Sequence, residues 1–300
     1  MNWLLYSNIF IAFCAVAMTA QTLFLLGKEL MTSPALLGLV FFSTWFIYAL
    51  HRLVSWRKLD ARLDIQRFQI IGAYQRHIKF YAGFSALLAA FCFFYLERAT
   101  QLALLLPALL SLGYVLPFIG RQRLRLRDLH FIKIFLIAGV WAYVTVVLPL
   151  LETFSYGIGE YGNPAVSNTT LSIILLLVER ALFIFIITLP FDLRDWKLDA
   201  YHSVKTIPTL LGPERTIYLG VFLLLLWGVL IMGVYIWPLP LGYSISGLWT
   251  GVLLWRTLDR DGNENTTQVV EHDYYYTGLI DGTMLVQALL IIGMGAYFLL

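Results

Sequence analysis

Cysteine is nearly missing from this chain: Cys14 and Cys92 are the only two among 300 residues, and each lies inside an apolar block. That excludes a disulfide framework and a thiolate metal site, so both read as packing residues. Charge is scarce too, at 13% of residues against about a quarter in ordinary soluble domains. Hydrophobic residues make up 60%, and an excess of that size needs lipid as its solvent. Strictly alternating polarity is absent from runs such as Leu171 to Phe191 and Ile217 to Ile236. A membrane β-barrel, whose strands alternate outward apolar and inward polar residues, is therefore excluded as the reading. The N-terminus has no basic stretch or small-residue cleavage site, so the first apolar block is expected to stay as a membrane helix. A formal charge of +3 is small, and no nucleic-acid partner is implied.

What remains is a series of apolar blocks of roughly 20 residues, the length at which a helix rising about 1.5 Å per residue crosses a hydrocarbon core of about 30 Å. The blocks predict an all-α integral membrane protein, a bundle of nine transmembrane helices forming one membrane domain over residues 1–300. They fall at about 3–26, 35–54, 78–96, 100–119, 131–151, 170–191, 216–236, 238–257 and 279–299. Between the seventh and eighth, Trp237-Pro238-Leu239-Pro240 turns the chain, a task that suits proline because it stops helices.

The placement of Lys and Arg orients the bundle, because short cytoplasmic loops carry the excess. Basic residues from Arg52 to Lys79 fall between the second and third spans, and Arg121, Arg123, Arg125, Arg127 and Lys133 between the fourth and fifth. Arg194, Lys197, Lys205 and Arg215 follow the sixth, and Arg256 and Arg260 the eighth, whereas the opposite loops hold only Lys28 and Arg98. The N-terminus is thus expected in the cytosol and the C-terminus outside. The segment from Glu152 to Thr170, without a basic residue and rich in Gly, Ser, Asn and Thr, is expected to be a mobile outer cap.

Three aspartates, Asp192, Asp195 and Asp199, close the sixth span with the spacing DxxDxxxD. On a helix, positions i, i+3 and i+7 share a face, so the carboxylates converge and repel one another. A divalent cation relieves that repulsion, and Mg²⁺ in particular prefers hard oxygen ligands shared with substrate phosphates. The plainer alternative is a solvated helix end in which Arg194 and Lys197 pair with these acids.

The residues after this turn resemble a known family. Lys205-Thr206-Ile207-Pro208-Thr209-Leu210-Leu211-Gly212 is similar to the segment that follows the second Asp-rich motif of the UbiA superfamily of intramembrane prenyltransferases. Tyr114-Val115-Leu116-Pro117-Phe118-Ile119-Gly120-Arg121, with the basic run to Arg127 and then Lys133, resembles that family's Tyr-Pro-Phe and basic signature. The resemblance implies Mg²⁺ on Asp192, Asp195 and Asp199, a prenyl diphosphate clamped by residues such as Arg121 and Lys205, and a lipid-like acceptor. It also implies an active site facing the cytosol, in a bacterial inner membrane. One element departs from the family: where a first Asp-rich motif belongs, the chain reads Tyr48-Ala49-Leu50-His51-Arg52-Leu53-Val54-Ser55-Trp56, with Asp60 and Asp64 the nearest acids. His51 and Arg52 are candidates to contact the diphosphate directly, since Arg matches phosphate oxygens with a bidentate fork; the plain alternative is a basic helix end snorkelling to the interface.

Three function classes follow. A Mg²⁺-dependent prenyltransferase is the first, a non-catalytic isoprenoid-binding or partner subunit the second, and a transporter the third, less favoured because no pair of related broken helices is visible. Glu179 and Arg180 inside the sixth span are expected as a structural ion pair. Tyr274, Tyr275 and Tyr276 are expected in an interfacial aromatic belt, and Asp281 as a first-turn helix acid.

Overall fold

The computed structural model describes residues 7–29, 31–57, 74–117, 125–154, 170–201, 204–235, 237–261 and 274–299. Every regular element among them is helical. In chain order these are α1 (Ile9–Leu25), α2 (Pro34–Arg57), α3 (Gln75–Phe93), α4 (Arg98–Ala103), α5 (Leu105–Val115), α6 (Ile132–Ala142) and α7 (Leu148–Phe154). There follow α8 (Thr170–Tyr201), α9 (Ile207–Leu211), α10 (Pro213–Val234), α11 (Leu239–Asp261) and α12 (Gly282–Leu299). A π-helical turn at Tyr143–Val147 joins α6 to α7, and another at Tyr274–Ile280 leads towards α12.

Six stretches are long and apolar enough to cross a membrane: Pro34–Val54, Arg98–Val115, Ile132–Phe154, Thr170–Lys197, Pro213–Val234 and Tyr274–Tyr297. Ile9–Leu25 is a shorter apolar helix. The protein is an integral membrane protein, and its polarity is arranged to match. On α10 the outward residues Phe222, Leu225, Val229 and Met232 follow a helical period and are 61–72% exposed. Glu179, Arg180, Gln21 and Gln287 are fully buried. A soluble protein would reverse that distribution.

Neighbouring helices pack into a ring: α2 on α1, α1 on α12, α12 on α11, α11 on α10, α10 on α8, α8 on α6, α6 on α5 and α5 back on α2. Small residues allow the close approaches. Gly242 of α11 faces Ile291, Met294 and the Leu290 carbonyl of α12, and Gly38 of α2 lies against Cys92 of α3. On α8, Leu176, Phe183 and Ile187 bury a stripe at helical spacing.

Several boundaries differ from the sequence reading. The sixth apolar run does not stop near residue 191; α8 continues through Pro190 to Tyr201. Proline in a membrane helix is tolerated where neighbouring groups satisfy the freed backbone. The fifth run extends to Phe154, so Glu152 belongs to α7 and not to an outer cap. It is buried, accepting hydrogen bonds from Ser33 Oγ and the Glu97 backbone N–H, both at 3.1 Å. Tyr275 and Tyr276 do not form a belt either: both are buried in the core, Tyr275 donating to the Leu253 carbonyl.

Candidate functional site

The continuation of α8 past Pro190 carries Asp192, Asp195 and Asp199 out on a rigid helix, so their shared face is set by the backbone. Opposite that face lies the first turn of α6, which brings in Lys133. Its ammonium nitrogen sits 2.8 Å from Asp192 Oδ1, 3.5 Å from Asp199 Oδ2 and 3.9 Å from Asp195 Oδ2. The contact with Asp192 is an ion pair lying off hydrogen-bond alignment. Both partners are enclosed, with side chains 7% and 1% exposed. The three carboxylates therefore converge as the spacing predicts, and they converge on an ammonium.

Two local devices hold Lys133 in place. Phe131, just before α6, has φ +60°, and its N–H donates to the Lys205 carbonyl at 3.0 Å. The Lys205 N–H in turn donates to His130 Nδ1 at 3.1 Å. This short strap pins the start of α6 to the chain leaving α8. Beyond it, Thr206 and Thr209 form a capping box on α9, and Gly212 at φ +81° turns the chain into α10. The Thr206 and Gly212 of the family-like segment thus have a local physical cause.

A second group of cations frames the acids. Arg125 is committed to Asp128, with its guanidinium Nη2 2.8 Å from Oδ1 and its backbone N–H 3.0 Å from Oδ2, which closes the turn Leu126–Asp128. That turn presents Arg127, whose guanidinium donates to His51 Nε2 and lies 5.6 Å over the Tyr114 ring. Arg127 is held above its ordinary pKa range: burial opposes its charge, but Tyr114, Asp195, Asp128 and Asp199 outweigh that. Burial pushes the Asp199 carboxyl up; Asp195 and Asp192 add to this, while Lys133 and Arg127 oppose it. Arg194 donates to Asp195 at 2.9 Å and lies over both Phe191 and Tyr276, 5.3 and 5.1 Å from their ring centres. Asp281, between the last π turn and α12, is within electrostatic reach of Arg194.

Among the residues singled out from sequence, Asp192, Asp195, Asp199 and His51 come together here. Arg52, one residue beyond His51, interacts with Tyr81 of α3. Lys205 is exposed at its side chain and joins the site through its backbone. Arg121, Asp60 and Asp64 lie outside the described residues. Sequence reasoning passed over Lys133 and Arg127 as partners of the acids. A signal existed: Lys133 is a lone cation within the apolar run Phe131-Ile132-Lys133-Ile134-Phe135, and charges so placed require a partner.

The site does not fit Mg²⁺ as it is arranged. Mg²⁺ requires near-octahedral oxygen coordination at about 2.0–2.1 Å. Here the place where three carboxylates share a cation holds the Lys133 ammonium. Among the described residues no group of three His, Cys, Asp or Glu side chains is set to hold a metal ion.

Glu179 and Arg180 form a separate cluster about 18 Å further along α8, counting twelve residues from Arg180 to Asp192 at about 1.5 Å each. Arg180 donates to the Met18 carbonyl at 2.9 Å, Thr145 at 3.0 Å and Thr22 at 3.3 Å, tying α8 to α1 and to the first π turn. Glu179 accepts from Trp227 at 3.1 Å and lies 3.9 Å from Arg180 Nε. The expected structural pair is present, with more partners than expected.

No protein-family model matches the chain, and no curated protein matches its sequence. Solved structures do. A UbiA homologue from Archaeoglobus fulgidus bound to GPP and Mg²⁺ superposes with a TM-score of 0.58 at 14% identity, covering 98% of this chain and 100% of that one. The same homologue bound to DMAPP and Mg²⁺ gives 0.56 at 14% identity, covering 98% and 99%. A digeranylgeranylglyceryl phosphate synthase gives 0.56 at 14% identity, covering 98% and 97%. The chain therefore shares the fold of these UbiA-homologue structures over nearly its whole length.

Proposed function

We propose that this UbiA-fold membrane protein binds a prenyl diphosphate and transfers its isoprenyl group to a lipid-like acceptor. One observation carries the reading: the acids of α8 meet Lys133 at one end of the helical ring, flanked by Arg127, Arg194 and His51. That end supplies cations for a diphosphate, and the apolar interior beyond it suits a hydrocarbon tail. The full topology proposed is nine spans with the N-terminus cytosolic, the C-terminus outside and the site facing the cytosol of a bacterial inner membrane. The distribution of Lys and Arg supports it.

In the transfer, the bond between C1 of the prenyl chain and the diphosphate oxygen breaks, and its electron pair leaves with the diphosphate. A new bond forms from the acceptor nucleophile to C1, and the acceptor's proton is lost. Charge develops on the leaving group, so cations preorganised around it lower the barrier. Lys133, Arg127 and Arg194 are the residues assigned to that task, with His51 orienting Arg127. Asp192, Asp195 and Asp199 are assigned as positioning residues that hold those cations. Arg52, Arg121 and Lys205 remain proposed as outer contacts to the phosphates.

A second reading, a non-catalytic isoprenoid-binding or partner subunit, is favoured by the ammonium among the carboxylates. Purified protein in lipid nanodiscs, given labelled geranyl diphosphate and a membrane lipid extract, separates the two. Release of diphosphate with a labelled lipid product, lost in Asp195→Ala, supports transfer. Saturable binding without release supports the binder, and absence of both removes the prenyl diphosphate from the proposal.

A further inference from the structure

We infer that Lys133 is the resident cation of this site, standing where a divalent metal would bridge the acids, so that the protein holds its anionic lipid headgroup without a metal ion. The inference rests on the prenyl diphosphate reading for its ligand, but its cation chemistry is tested without that ligand.

Three features carry it. The first is charge balance across the facing groups. Asp192, Asp195 and Asp199 bring three negative charges; Lys133 and Arg194 pair with them, and Arg127 lies within their electrostatic reach. Asp281 adds one acid on the Arg194 side. A divalent ion entering between the α8 carboxylates meets a group already neutralised by side chains.

The second is that Lys133 has no easy way out. Its side chain is 7% exposed, and the strap from Phe131 and His130 to Lys205 fixes the turn it projects from. Metal entry would either push an ammonium into an apolar surround or leave it beside a doubly charged ion. Both are unfavourable, because a buried charge needs a partner of opposite sign.

The third lies across the ring. The segment of α2 facing this end presents His51, which accepts from Arg127, where the related motif would present carboxylates. With no acid in the stretch Tyr48 to Trp56 and a cation-rich pair there instead, the site gains donors that reach phosphate oxygens directly. The acids then orient cations and the cations bind the phosphates.

The test begins with metal alone. Detergent-purified wild-type protein, stripped with EDTA, is titrated with Mn²⁺ while bound ion is followed by electron paramagnetic resonance and thermal unfolding is followed in parallel. No stoichiometric Mn²⁺ binding and no shift in unfolding temperature are expected up to millimolar ion; a stoichiometric site overturns the inference. Lys133→Ala vacates the position and is expected to gain a Mn²⁺-dependent rise in unfolding temperature, which Asp192→Asn added to it removes. A well-folded Lys133→Ala that gains no response also overturns the inference. Should Lys133→Ala fail to fold, Lys133→Gln, which removes the charge and is one atom shorter but keeps a hydrogen-bonding group, takes its place. Labelled geranyl diphosphate is then bound to wild type in EDTA and in Mg²⁺. Equal affinities are expected, and a loss of about tenfold or more in EDTA overturns the inference. Failure to bind in either condition defeats the prenyl diphosphate reading, while the Mn²⁺ result still decides the role of Lys133.

Discussion

Replacing Arg180 with leucine tests how the bundle tolerates charge in its interior. The side chain is fully buried and makes three hydrogen bonds, to Met18, Thr145 and Thr22, besides lying 3.9 Å from Glu179. Inside membrane bundles a side-chain hydrogen bond is worth about 0.6 kcal/mol on average, so three account for about 2 kcal/mol. The stranded carboxylate of Glu179 is the larger cost: removing one partner of a buried pair destabilises by about 3–5 kcal/mol. Arg180→Leu should therefore lose about 5–7 kcal/mol, with the orphaned anion dominating. Glu179→Gln removes that anion while keeping an oxygen for the Trp227 N–H, which donates at 3.1 Å. The double variant should accordingly be more stable than the summed single effects predict, by a coupling of about 1–3 kcal/mol. Unfolding of purified protein in mixed micelles by added SDS measures all three. A double variant as unstable as the sum of the singles would falsify this account. Affinity for geranyl diphosphate should hardly change, because the cluster lies about 18 Å from Asp192 along α8.

Three further outcomes follow from the site and its surroundings. Lys133→Met should destabilise more than Asp192→Asn, about 3–5 against about 1–2 kcal/mol, because the lysine loses three carboxylates while loss of Asp192 leaves it Asp195 and Asp199. The pH dependence has a definite sign. Burial already raises the Asp199 carboxyl, so its protonated form favours the folded state, and stability is lost as pH rises through the raised value. Removing Lys133 raises that carboxyl further, so the Lys133→Met deficit should shrink in acid; a deficit that grows on acidification refutes the arrangement. Gly212→Ala forces a side chain into φ +81° and should cost about 1–2 kcal/mol in the same unfolding assay, with no loss expected from Gly228→Ala, mid-helix where a Cβ meets nothing within 4 Å.

The helices were legible as apolar blocks because lipid demands a length set by its thickness, and six of the blocks match stretches of the described residues long and apolar enough to cross it. The exceptions share a cause. The run past Pro190, the continuation to Phe154 and the π turns at Tyr143–Val147 and Tyr274–Ile280 depend on partners from other helices, such as Arg180 donating to Thr145 or Glu152 accepting from Ser33. Local hydropathy carries no trace of such partners. Tyr275 and Tyr276 read as a belt because aromatic residues at a span's end usually sit at an interface, and it is the core around Leu253, Phe191 and Arg194 that takes them inward.

For the site, the DxxDxxxD spacing alone was enough to place three carboxylates on one helical face, since the α-helical period is a property of the backbone. Which cation they would meet was beyond reach of spacing. Lys133 stands 66 residues from Asp199, and the two meet only because α6 packs on α8 and the Phe131 to Lys205 strap fixes its first turn. An acidic face in a low-dielectric surround must acquire positive charge, and a linear motif states that need. Whether an ion from solution or an ammonium of the same chain meets it depends on which helix the bundle brings alongside.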